Sequence, residues 1–219
     1  MVGELKDIEK GVVLNGLRKT ITAERGDPVY FTKRDAFMYL WEFQGLTGSF
    51  DYIKTLKSNL VVDIGTGKGL AWSELARKYG NDLEFWATNL IYDKEVADRL
   101  DGRVKITPAE FMKGFADNSV GGVVAMKSIA YSNSPEMVIR AIDRVLVLGG
   151  LIKASFKGVG EFGANYNTYH DFTKVLRSLG YDTEVFENIN VLAIKPGGKV
   201  KAKDILAKDL ESVEQKPFV

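Results

Sequence analysis

Between residues 60 and 195, short apolar runs alternate with amphipathic segments, and this alternation restricts the possible folds more than any other feature. Leu60–Ile64 is typical of a buried strand, and the segment after it carries apolar side chains at helical spacing up to Tyr79. Strands that alternate with helices form a parallel sheet with helices on both faces. The predicted strands are 60–64, 83–88, 104–106, 120–126, 151–156, 181–186 and 190–194, the last two paired as an antiparallel ribbon. The pattern therefore predicts an α/β fold with a doubly wound, mostly parallel seven-stranded sheet.

Local signals mark the helices that connect these strands. Ser134 is a predicted N-cap with Pro135 at the first helical position, and this helix should continue to Leu146 and stop at the glycine pair 149–150. The other predicted helices of this region are 68–79, 95–100 and one around 172–179.

The chain before the sheet is predicted to form a helical cap over residues 1–58, with helices at about 33–43 and at 50–56 after the breakers Gly45 and Gly48. Its aromatic residues are either core or the wall of a substrate pocket, and they include Phe37, Trp41 and Phe43. The central domain is placed at 59–196. A lysine-rich tail at 197–219 has one amphipathic stretch, which favours a docked or fraying segment.

Composition excludes several classes of protein. The chain of 219 residues has 30 Lys and Arg against 29 Asp and Glu, so no global charge draws it to nucleic acid or to an anionic membrane. It has no cysteine and one histidine, which rules out disulfides and the usual zinc sites, so no metal is predicted. No long apolar run is present, and we expect a cytoplasmic protein without a membrane partner.

A glycine-rich turn, Asp63-Ile64-Gly65-Thr66-Gly67-Lys68-Gly69, joins the first strand to the first helix of the sheet. Glycines allow a tight turn and a close approach of the backbone to a ligand at the carboxyl edge of a parallel sheet. The turn lacks the spacing of the P-loop, since Gly69 follows Lys68 where Ser or Thr is needed. It also differs from the G-x-G-x-x-G fingerprint of dinucleotide sites.

The turn resembles the first motif of class I S-adenosylmethionine-dependent methyltransferases. Further similarities follow in the family's order: Pro108-Ala109-Glu110, then Phe115–Val120, then Arg144-Val145-Leu146 with Gly149-Gly150. The resemblance covers about residues 58–195 and implies the methyltransferase fold, S-adenosylmethionine as cofactor, and methyl transfer. Small-molecule enzymes of this class show similar successions of motifs, so a small-molecule acceptor is expected.

The resemblance also implies a set of cofactor-binding residues. The turn would face the methionine part of the cofactor, the end of the second strand would hold the ribose, and the segment after the third strand would face adenine. The positions implied are Asp63, Ile64, Gly65, Thr66, Gly67, Asn89, Leu90, Ala109 and Glu110.

Three positions depart from the family pattern. Asn89 stands where an Asp or Glu should accept from the ribose, Pro108 replaces an acidic residue, and Gly121 replaces the usual Asp of the fourth strand. Glu110 has a second interpretation, because residues 107–110 match a capping box with proline at the first helical position. These departures leave open a non-catalytic relative that serves as a scaffold or interaction module.

The acceptor side is less defined by sequence. Tyr131 and Lys127 follow the fourth strand and are the candidate catalytic residues. A buried tyrosine that bridges loops is the more common case for Tyr131, and a solvated loop lysine explains Lys127 equally well. Lys153 with Lys157 resembles part of the pattern of RNA ribose methyltransferases, and the tail lysines would support that alternative. An RNA acceptor ranks below a small molecule because the net charge is close to zero.

Overall fold

The fold is seen in a computed structural model that describes residues 36, 39, 40, 43–129, 132, 134–156, 164–187 and 190–214, with the backbone alone for 164–168 and 214. The strands in this part of the chain are β1 (Leu60–Ile64), β2 (Glu84–Asn89), β3 (Val104–Ile106), β4 (Val120–Met126), β5 (Leu146–Ser155), β6 (Asp182–Phe186) and β7 (Asn190–Ile194). The helices are α1 (Thr47–Lys54), α2 (Leu70–Tyr79), α3 (Lys94–Arg99), α4 (Pro135–Val145), α5 (Ala164–Ser178) and α6 (Ala202–Glu214). Three further residues, Ala36, Tyr39 and Leu40, are helical and fall within the predicted helix 33–43. Residues 33–35, 37, 38, 41 and 42 of that prediction lie outside the described residues.

The strands form one sheet in the order β3-β2-β1-β4-β5-β7-β6. All neighbours are parallel except β7, which is antiparallel to both β5 and β6. This confirms the predicted doubly wound, mostly parallel sheet with a terminal antiparallel ribbon. The strand order reverses between β1 and β4, and a ligand crevice forms at the carboxyl edge of such a reversal.

Buried apolar residues cover both faces of the sheet. One cluster joins the sheet to α4 and α5, and the other joins it to α1, α2, α3 and α6. Ser134 caps α4 by accepting from the backbone N–H of Met137, as the sequence predicts. None of the helices in the described part of the chain has both the length and the apolar character needed to cross a membrane.

The glycine pair 149–150 lies inside β5 and does not stop a helix, so the prediction of a helix to Leu146 and a strand from 151 is wrong. Helix α4 ends at Val145, and Leu146 is already extended and pairs with Val120. An irregularity follows, since five steps along β5, from 146 to 151, match two steps along β4, from 120 to 122. Gly149 has a φ of 75°, which suits glycine and allows the strand to absorb the extra residues.

Gly48 does not break the predicted cap helix either. It lies within α1, which begins at Thr47 where the sequence predicts Phe50. A Cβ on Gly48 would lie 2.6 Å from the Cβ of Lys208 on α6. Glycine is needed here because α1 and α6 pack closely. From the sequence alone, the same glycine is interpreted as a helix breaker.

A similar close approach explains why Gly121 departs from the family pattern. A Cβ at this position would lie 2.1 Å from the carbonyl oxygen of Ser58, in the segment that leads into β1. At the next residue, Gly122, a Cβ would lie 2.3 Å from Ile53 of α1. The cap therefore occupies the space that an aspartate would need.

A buried ion pair connects the tail helix, the cap and the sheet. The ammonium of Lys153 on β5 donates to a carboxylate oxygen of Asp209 on α6 at 2.6 Å and to the carbonyl of Gly45 at 2.9 Å. The same carboxylate accepts from the backbone N–H of Ser49 at 2.9 Å and from its hydroxyl at 2.5 Å. Both charged side chains are fully buried. Burial lowers the pKa of Lys153, and Asp209 opposes that shift.

Candidate cofactor site

The glycine-rich turn connects β1 to α2 and has an unusual backbone. Gly65, Gly67 and Gly69 have φ values of 69°, 60° and 68°, in the left-handed region that side chains rarely adopt. Because these residues cannot join the helix, α2 begins at Leu70 and not at the predicted Lys68. No side chain caps the start of α2, so its first N–H groups are suited to an electronegative ligand group.

Ser128, in the loop after β4, closes one side of the turn. A Cβ on Gly65 would lie 2.6 Å from the Cβ of Ser128. The hydroxyl of Ser128 also donates to the carbonyl of Ile64, which ties the two loops together. The sequence interpretation missed this residue, since a serine in a loop carries no signal for a contact 64 positions away.

Two polar side chains of the first motif are buried. The hydroxyl of Thr66 makes no hydrogen bond to any described residue, although Thr66 is only 4% exposed. Asp63 is fully buried, and one carboxylate oxygen accepts from the Tyr39 hydroxyl at 2.8 Å. The N-terminal cap thus contacts the residue that leads into the turn.

Lys68 anchors the turn to α3. Its ammonium lies 2.9 Å from a carboxylate oxygen of Asp93 and 3.4 Å from one of Glu95. Asp93 is the N-cap of α3 and accepts from two backbone N–H groups. The Lys68 ammonium and these N–H groups hold the pKa of the Asp93 carboxyl below its usual range. Lys68 therefore has a structural role, since its ammonium joins the turn to the start of α3.

Asn89 ends β2 beside the turn and is 7% exposed. Its side-chain amide donates from Nδ2 to the carbonyl of Gly67 at 3.2 Å. This contact orients the amide so that Oδ1 remains as an acceptor, whereas an aspartate has no donor for the Gly67 carbonyl. The backbone also joins the two elements, because the N–H of Gly65 donates to the carbonyl of Thr88 at 2.9 Å.

The capping-box interpretation of residues 107–110 is wrong, because no helix follows. The segment is a turn in which the Thr107 hydroxyl accepts from the N–H of Lys113 at 3.0 Å. Glu110 is buried, and its carboxylate accepts from the Ser132 hydroxyl at 2.8 Å. Glu110 is thus held beside the loop after β4, on the side of the sheet edge implied for adenine.

The remaining predicted site residues have different positions. Ile64 is buried at the end of β1, Leu90 is half-buried after β2, and Ala109 packs on the core next to α4 and α5. Lys127 follows β4 with a φ of 64°, and its N–H donates to the carbonyl of Ser155 at 2.8 Å. Tyr131 lies outside the described residues.

Two residues assigned provisionally to the acceptor side lie in the core. Phe43 is fully buried, 6.0 Å from the Lys153 ammonium, so it is not the wall of an open pocket. Phe37 and Trp41 lie outside the described residues. The Lys153 ammonium pairs with Asp209 and is fully buried, so it is not accessible to a substrate. Within the described ranges, no group of three or more His, Asp or Glu residues could hold a metal ion.

Residues 62–153 match the family of methyltransferase domains. This similarity supports the resemblance to the class I S-adenosylmethionine-dependent methyltransferases. The match begins in β1, ends in β5 and includes the whole glycine-rich turn. Together with the strand order, the match confirms the fold and the cofactor that the resemblance implies, and it supports the family.

Solved structures show the same fold at low sequence identity. A TehB-like S-adenosylmethionine-dependent methyltransferase from Corynebacterium glutamicum is 16% identical over 74% of this chain and 97% of its own, with a TM-score of 0.51. The DszA carbon methyltransferase is 13% identical over 68% of this chain and 50% of its own, also with a TM-score of 0.51. No curated protein matches the sequence significantly.

The residues present fit S-adenosylmethionine. The turn leaves no room for a Cβ at Gly65, the buried Thr66 hydroxyl makes no hydrogen bond to the described residues, and the start of α2 has no side-chain cap. These features provide hydrogen-bonding groups and close backbone access for the amino-acid part of a ligand at the carboxyl edge of the sheet.

Proposed function

We propose that this methyltransferase transfers the methyl group of S-adenosylmethionine to a small-molecule acceptor at the carboxyl edge of the sheet. The cofactor supplies an electrophilic methyl group on a sulfonium. Asp63, the turn at 64–67 and the start of α2 hold its methionine part, Asn89 and Leu90 its ribose, and Ala109 with Glu110 its adenine. Methyl transfer needs alignment and exclusion of water more than a strong acid or base, so positioning is the main task of these residues.

The position of the lysines carries the proposal of a small acceptor. Lys153 is buried against Asp209, and Lys195 donates to the carbonyls of Asp143 and Leu146 at 2.5 and 3.0 Å. Ile194 pairs with Leu151 near the start of the parallel part of β5, so Lys195 lies towards the amino edge of the sheet. The start of α6, with Lys201 before it, lies at the same edge, because the N–H of Ala202 donates to the carboxylate of Asp182, and Asp182 pairs with Ile194. RNA bound at the carboxyl edge needs phosphate contacts there, and these lysines do not supply them.

Lys127 and Tyr131 remain the residues we propose for the acceptor side. Both follow β4, whose carboxyl end lies next to that of β1. The position of Lys127 suits contact with an acidic group of the acceptor or of the cofactor. The tyrosine hydroxyl suits orientation of the attacking atom or removal of its proton.

The substitution Asn89→Asp distinguishes a functional cofactor site from the degraded site of a non-catalytic relative. The change removes the Nδ2 donor to the Gly67 carbonyl and places a carboxylate beside that oxygen. Because a hydrogen bond contributes about 1 kcal/mol, we expect S-adenosylhomocysteine to bind roughly fivefold more weakly. Titration calorimetry measures the effect.

Asn59→Asp is the matched control, since Asn59 also donates from Nδ2 to a backbone carbonyl, that of Asp82, at 3.1 Å. Asn59 precedes β1, at the opposite edge of the sheet, so its substitution should leave cofactor affinity unchanged. A marked gain in affinity for Asn89→Asp would show that the native asparagine is a loss from an ancestral site, and would favour the scaffold alternative.

The acceptor itself is tested with S-adenosylmethionine labelled on the methyl group. The full chain is incubated in parallel with a metabolite extract and with total RNA at several salt concentrations. We expect label in the small-molecule fraction with little dependence on salt, because few ion pairs form with a small acceptor. Label in RNA alone, with a steep salt dependence, would contradict the proposal.

A further inference from the structure

A cleft of about 400 Å³ lies between α2 and the segment that joins α3 to β3. It is lined by three arginines and by apolar side chains, among them Arg77, Arg99, Arg103, Ala76, Phe85 and Leu100. We propose that this cleft binds the phosphate group of a small organic molecule, at a site separate from the cofactor turn. The inference does not depend on the identity of the methyl acceptor.

The charge of the lining favours an anion. The lining carries three guanidinium groups and the carboxylate of Asp101, and Arg99 also pairs with Glu95 just outside the cleft, so one positive charge remains without a carboxylate partner. Arg77 is exposed and makes no hydrogen bond or ion pair with any residue in the described part of the chain. A ligand anion can therefore bind Arg77 without displacing a hydrogen bond or ion pair of the native structure.

The other two arginines have carboxylate partners that exchange easily. Arg103 lies 3.2 Å from a carboxylate oxygen of Asp101, whose side chain is 80% exposed. Arg99 lies 2.7 Å from one of Glu95, whose side chain is 61% exposed. Ion pairs with such exposed carboxylates contribute little to stability, so a phosphate can replace them at small cost.

The chemistry of the lining selects a phosphate with an apolar group attached. The planar guanidinium group presents paired donors that match two oxygens of a phosphate. Ala76, Phe85 and Leu100 provide the apolar part of the lining, and Phe85 and Leu100 expose only their edges there. A concave site that combines apolar walls with a few polar groups suits a small molecule.

Phenyl phosphate is the probe, titrated into the full chain by calorimetry, and phenol is its uncharged counterpart. We expect phenyl phosphate to bind and phenol not to bind. Arg77→Gln should weaken phenyl phosphate binding about tenfold, since a hydrogen bond to a charged group is involved. Arg77 is chosen over Arg99, because Arg99 also donates to the carbonyl of Lys68 in the cofactor turn.

Lys78→Gln is the matched control. It removes the same charge from the next residue of α2, and Lys78 is exposed and does not line the cleft. Its ammonium lies instead over the ring of Tyr79, 4.9 Å from the centroid. We expect Lys78→Gln to bind phenyl phosphate nearly as well as the native chain.

Four results would overturn the proposal. The first is that phenyl phosphate does not bind, and the second is that Arg77→Gln and Lys78→Gln weaken its binding equally. The third is that saturation with S-adenosylhomocysteine abolishes phenyl phosphate binding, and the fourth is that an RNA oligonucleotide binds more tightly than phenyl phosphate and depends on Arg77. The third would place the anion in the cofactor turn, and the fourth would indicate a nucleic-acid surface. If S-adenosylhomocysteine itself does not bind, the proposed function fails, while the comparison of the two variants still decides this inference.

Discussion

Replacing Asp209 by alanine is expected to destabilise the protein by about 3–5 kcal/mol, because it leaves the Lys153 ammonium buried without its counter-charge. The carboxylate also accepts two hydrogen bonds from Ser49, so the substitution loosens α6 from the cap as well as from the sheet. Urea unfolding of the full chain, followed by tryptophan fluorescence, measures the loss.

Glu136→Ala is the control for a lost carboxylate. Glu136 pairs with Arg140 on the surface of α4 at 2.8 Å, and its removal should cost less than about 1 kcal/mol. If Asp209→Ala costs no more than this, the buried pair does not contribute as we describe.

The double variant Lys153→Met with Asp209→Leu distinguishes two contributions to the destabilisation: the loss of the ion pair and the cost of a buried charge without a partner. Apolar residues of similar volume remove the unpaired charge, so we expect the double variant to be more stable than Asp209→Ala. It should remain less stable than the native chain, because the Gly45 carbonyl and the N–H and hydroxyl of Ser49 lose their partners. This variant should also bind S-adenosylhomocysteine normally, because Lys153 contacts α6 and the cap and not the cofactor turn. Loss of cofactor binding in a folded double variant would contradict that assignment.

Replacing Gly65 by alanine is expected to disrupt the cofactor site. A left-handed backbone costs a residue with a Cβ about 1–2 kcal/mol. The new Cβ would also lie 2.6 Å from that of Ser128, and overpacking of this kind costs about 1–3 kcal/mol more. Ser128 cannot move away freely, since its hydroxyl donates to the carbonyl of Ile64. We expect affinity for S-adenosylhomocysteine to fall at least tenfold, measured by calorimetry.

Gly102→Ala isolates the backbone contribution to this effect. Gly102 has a φ of 75°, and a Cβ there would meet no heavy atom within 4 Å. Its substitution should cost about 1–2 kcal/mol in urea unfolding without an effect on the cofactor. Adding Ser128→Gly to Gly65→Ala should recover part of the lost affinity. Native affinity in Gly65→Ala alone would rule out the closed turn that we describe.

The elements that could be predicted from sequence depend on neighbouring residues. The strand, the glycines and the helix of the cofactor turn are contiguous, so Leu60–Tyr79 carries its own signal. The same holds for the Ser134-Pro135 cap of α4 and for the terminal ribbon of β6 and β7. Apolar periodicity and turn chemistry act over a few residues, and a single sequence records them directly.

Predictions failed where a local pattern has two physical causes. The glycine pair 149–150 suits a helix stop, yet it shapes an irregular strand, and Gly48 suits a breaker, yet it allows contact between two helices. The segment 107–110 matches a capping box, but the Thr107 hydroxyl accepts from Lys113 in a turn. Tertiary contacts decided between the two causes in each case.

The sequence by itself determined the fold, the cofactor and the position of the glycine-rich turn between β1 and α2. Only the tertiary structure decided the roles of Lys153, Glu110 and Asn89, because their partners lie 56, 22 and 22 positions away along the chain. From the sequence alone, Lys153 is a candidate catalytic residue, whereas in the structure it is the ion-pair partner of Asp209. The physical reason is that burial and charge pairing arise when distant segments fold together, and no short-range pattern encodes them.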